Sequence, residues 1–110
     1  MEGFIQVTTT TEKREDAERI ALALVEGRLA ACVQIVGPIT SIYRWKGKIE
    51  TTREWLCLIK SRQENYGAIE QAVRSLHPYE TPEIIAVPVT AGSRDYLDWL
   101  RGELTAPCEE

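Results

Sequence analysis

The chain of 110 residues has little with which to build a conventional site. It holds one histidine, three cysteines, one phenylalanine and one methionine. A Cys₄ zinc site or a complete set of intrachain disulfides cannot be assembled from that inventory. A Cys₃His site would need closely spaced ligand pairs, but the thiols stand at Cys32, Cys57 and Cys108, 25 and 51 residues apart. A structural zinc site is therefore not expected. No Gly-rich phosphate loop, Ser/His/Asp set or nucleophile elbow is present. No apolar run approaches the length needed to span a bilayer, and Met1-Glu2-Gly3-Phe4 does not begin a basic region followed by an apolar one, so no signal peptide is visible. Basic charge is also short. With 13 basic and 17 acidic residues the net charge is −4, which repels a phosphate backbone and argues against nucleic acid as a partner.

What is present is ordinary globular composition, 27% charged and 44% hydrophobic. One domain over residues 1–110 is expected, burying roughly 65% of the surface of the unfolded chain. An odd thiol count fits a reducing cytoplasm.

Gly3 to Thr10 is short and β-branched and reads as a strand. From Glu12 to Glu26, apolar Ala17, Ile20, Ala21, Leu24 and Val25 recur at helical spacing, with Gly27 expected at C′. Leu29–Val36 reads as extended. Gly37-Pro38 interrupts it as a bulge or edge position, and Ile39–Trp45 resumes the strand. Lys46-Gly47-Lys48 supplies a hairpin turn and Ile49–Lys60 the return arm. Ser61 and Glu64 are spaced as a capping box for a second helix, with Tyr66, Ile69, Val73 and Leu76 as its apolar face and His77-Pro78 as its end. Glu83–Val89 is a fourth strand, in which Pro88 indicates an edge. Ser93 caps a terminal helix bearing Tyr96, Leu97, Leu100 and Leu104, and the tail after Thr105 is expected to be loose. The order β-α-β-β-α-β plus a helix predicts an α+β ferredoxin-like sandwich, a four-stranded antiparallel sheet with both main helices on one face.

Parity exposes a problem for a lone subunit. Trp55, Cys57 and Ile59 lie on one face of the third strand, Leu56 and Leu58 on the other. The helices cover one face only. The second apolar face is expected to be buried between copies in a homo-oligomer, unless the terminal helix folds back over it.

His77-Pro78-Tyr79-Glu80 is the densest polar cluster. His77 is a candidate metal ligand through its imidazole, with Glu80 or a neighbouring subunit's carboxylate assisting, or it caps the negative end of its helix as an imidazolium. Cys32 is either a small core filler or a soft copper ligand or activated thiolate. Cys57 reads as core and Cys108 as incidental. Glu54 is a candidate cation ligand, or a partner in a surface ion pair beside Arg53. Arg44, Lys46 and Lys48 flank Trp45 at the hairpin tip. They are suited to an anion or, against the acidic total, to nucleic acid, or else they keep the turn soluble while Trp45 packs on a neighbour.

Leu29-Ala30-Ala31-Cys32-Val33, Ile42-Tyr43-Arg44-Trp45-Lys46-Gly47, His77-Pro78-Tyr79-Glu80 with Pro82-Glu83-Ile84-Ile85, and Tyr96-Leu97-Asp98-Trp99-Leu100 occur in that order. By these motifs the chain resembles the CutA divalent-cation tolerance family, from about Phe4 to Leu104. The resemblance implies a homotrimer of ferredoxin-like subunits similar to PII signal proteins, and tolerance to copper or other divalent cations. Where motifs match, it implies copper-site candidates at Cys32 and His77, with Glu54 nearby. It brings no catalytic reaction, so the protein is expected to bind metal ions without turnover. Two rival readings are a PII-like module taking a small anion in inter-subunit clefts through Arg44, Lys46 and Lys48, and a Cys/His enzyme built across an interface.

Overall fold

The computed structural model describes residues 3–105, so Cys108, the first two residues and the tail lie outside it. Eight elements follow one another: β1 Phe4–Thr11, α1 Arg14–Glu26, β2 Cys32–Trp45, β3 Lys48–Arg62, a 3₁₀ turn Gln63–Asn65, α2 Tyr66–Leu76, β4 Ile85–Val89 and α3 Arg94–Glu103. The sheet has the order β2-β3-β1-β4 and every pairing is antiparallel. This is the expected ferredoxin-like arrangement, with β2 and β4 as edges.

Alternation builds the core. Ile5 and Val7 of β1 and Cys57 and Ile59 of β3 point toward α1 and α2, where they meet Ala17, Ile20, Leu24, Ile69 and Val73. Eight of these nine are wholly shielded from solvent, and the ninth, Ile5, is 6% exposed. Each large aliphatic side chain so buried is worth about 1.5–3 kcal/mol.

Three local expectations are corrected. Ser61 does not cap a helix. It pairs with Ile5 as part of β3, is fully buried, and donates through Oγ to the Leu29 carbonyl at 2.6 Å. Pairing with β1 carries the strand past the capping-box signal, and α2 starts only at Tyr66, with Asn65 preceding it and no side-chain cap. The left-handed residue after α1 is Arg28, at φ 59°, because Gly27 keeps φ −80° and extends the last turn by one residue. Leu29–Ala31 precede β2 instead of opening it.

The β2–β3 hairpin closes at the Trp45–Lys48 pair. Lys46 and Gly47 have φ 51° and 81°, the two left-handed residues a type I′ turn demands. A register shift falls between Val36 and Ile39, at Gly37-Pro38 as expected for a bulge. A Cβ on Gly37 would stand 2.4 Å from the Trp55 ring, so only glycine lets that indole lie against the strand. β2 and β3 are 14 and 15 residues long, β1 and β4 only 8 and 5, so the hairpin runs well past the rest of the sheet.

The face away from α1 and α2 carries Val36, Leu56, Leu58, Ile85 and Val87 by register. α3 folds over one end of it, packing Leu100 and Leu104 on Phe4. The rest stays open, with Val36 45% and Val87 49% exposed.

A candidate cation site on the open face

Past the reach of α3, the open face hollows into a cleft of about 620 Å³. Its floor comes from the hairpin. Antiparallel register sets Ser41 opposite Thr52 and Ile39 opposite Glu54, so Ser41, Tyr43, Trp45, Thr52 and Glu54 share one face. Its wall is the segment after α2, which brings Tyr79, Glu80 and Glu83 beside Thr10 and Glu12 at the end of β1.

Glu54 lies at the centre of this arrangement. It is only 5% exposed and is not the surface partner of Arg53, which points to the opposite face of β3. Oε2 accepts a 2.7 Å hydrogen bond from the Tyr79 hydroxyl. Among the described residues no cation pairs with Glu54 and no donor reaches its second oxygen. Burial, followed by the neighbouring Glu54 carboxylate, pushes the Tyr79 phenol far above its ordinary range, so it stays protonated and donates.

His77 fixes Tyr79 in place. The residue before Pro78 leaves the helical region at φ −80°, ψ 134°, which ends α2. Its ring turns back to β1, with Nε2 2.7 Å from the Thr10 carbonyl, while Nδ1 accepts from the Tyr79 backbone N–H at 3.1 Å. A carbonyl only accepts and an amide N–H only donates, so the tautomer is fixed: Nε2 carries the proton and Nδ1 the lone pair. Burial lowers the imidazole pKa, against the raising effects of the Thr10 bond, Asp16 and Glu54. His77 is therefore a neutral latch with both nitrogens engaged, not the imidazolium cap that its place in sequence suggests.

Cys32 is elsewhere. It pairs with Lys60, six residues along β3 from Glu54, a separation of about 20 Å at strand rise. There it is half-buried beside Tyr96, whose pKa is raised by burial and then by the thiol. Cys57 is the core residue expected, sealed from solvent and with its thiol pushed up to about 11 by burial. Of the three candidate ligands, the fold joins Glu54 to His77 through Tyr79 and leaves Cys32 apart. Among the described residues, no three His, Cys, Asp or Glu side chains converge to hold a metal ion. The described residues of one chain do not by themselves form a closed copper site.

Tyr79 was in the polar cluster, but its role was not legible there. Parity across the hairpin, carried past Trp55 to Glu54, Thr52 and their partners Ile39 and Ser41, would have gathered the floor.

A family model described as CutA1 divalent ion tolerance protein matches residues 5–103. The divalent-cation tolerance protein CutA of Thermus thermophilus is 48% identical over 101 residues, covering 92% of this chain and 96% of that one. Protein CutA of Homo sapiens is 52% identical over 95 residues, 86% of this chain but 52% of the human protein, so the chain spans about half the length of that relative. The solved structure of the Thermus thermophilus Cut A1 protein superposes with a TM-score of 0.89 at 47% identity, covering 96% of this chain and 100% of that one. CutA1 from Oryza sativa gives 0.91 at 38% identity, covering 94% of each.

Proposed function

The chain belongs to the CutA1 divalent ion tolerance family, and from that premise we propose that it meets divalent cations in the open-face cleft, with Glu54 as the anchoring ligand. The observation that carries this reading is a carboxylate 5% exposed whose one protein partner is a phenol. A cation entering the cleft would give this carboxylate a second partner. The donors there are carboxylates and hydroxyls, which suit hard divalent ions completed by water. Copper, a softer ion, calls for Cys32, and thus for a second subunit to bring a thiol near an acidic site. The protein would act by holding ions, without turnover, in a homotrimer that buries Val36, Leu56, Leu58 and Val87 between copies. Free Cys32 and Cys57 are consistent with a reducing cytoplasm.

Glu12, Glu54, Glu80 and Glu83 around the cleft repel an anion, so an anion-binding role for Arg44, Lys46 and Lys48 gains no support from it. Titration of manganese and copper into wild type, Glu54→Gln and Cys32→Ser tests the reading. Manganese affinity should fall at least tenfold in Glu54→Gln and hold in Cys32→Ser. Equal affinities in wild type and Glu54→Gln would overturn the Glu54 assignment.

A further inference from the structure

We draw no further inference here: the strongest candidate, the apolar and basic tip of the β2–β3 hairpin, where Ile42 and Ile49 are 69% and 65% exposed beside Arg44, Lys46 and Lys48, carries nothing because nothing in the structure shows what covers it.

Discussion

The Tyr79 hydroxyl donates a 2.7 Å hydrogen bond to Glu54 Oε2, across 25 residues of sequence. It ties the segment after α2 to the long hairpin and aims a buried carboxylate into the cleft. The bond exists because His77, two residues earlier, holds the Tyr79 backbone N–H and the Thr10 carbonyl at once.

Tyr79→Phe keeps the ring and removes the donor. Glu54 would then be a buried carboxylate with no protein hydrogen bond among the described residues. A buried acceptor left in that state costs about 1–3 kcal/mol. Urea denaturation should give a lower midpoint for Tyr79→Phe by an amount in that range, with the slope unchanged. An unaltered midpoint would mean that the bond contributes nothing.

His77 makes stability depend on pH with a fixed sign. Its folded pKa lies below the ordinary 6.5 because of burial, so the unfolded chain binds the proton more readily. The latch contributes fully above pH 6.5, and that contribution is lost as pH falls toward the folded pKa. Protonating Nδ1 also places a proton against the Tyr79 N–H. As the chain has a single histidine, its ring signals in NMR titrate alone. They should report a midpoint below 6.5, and urea midpoints should decline from pH 7.5 to 5.5. A ring midpoint above 6.5 would contradict the latch.

Thr9 faces the core, fully buried, with Oγ1 unpartnered. Thr9→Val replaces the hydroxyl with a methyl of nearly the same shape. The melting temperature should rise, by about 1 kcal/mol of stability from relief of an unmet donor. A lower melting temperature would show that Oγ1 has a partner after all.

The fold was largely legible because its signals are local. Period-3.6 patterning in α1, β-branched residues in β1 and the Lys46-Gly47 turn each specify a backbone path without help from distant residues. Ser61 failed because a capping box competes with eight rungs of pairing to β1, which no local pattern records. At the site, Glu54 was legible as a candidate cation ligand, but its burial was not, since the other reading was a surface ion pair. Its burial depends on Tyr79, and Tyr79 reaches it only after α2 has returned the chain across the sheet. Cys32 and Glu54 were grouped as ligands, but the β2–β3 register sets them about 20 Å apart.

The central claim is that a cation binds in the cleft at Glu54. It is tested most directly by anomalous diffraction from crystals soaked in manganese, in wild type and in Glu54→Gln. A peak within bonding distance of a Glu54 oxygen is expected in wild type and none there in the variant. A peak elsewhere with the Glu54 carboxylate bare would contradict it.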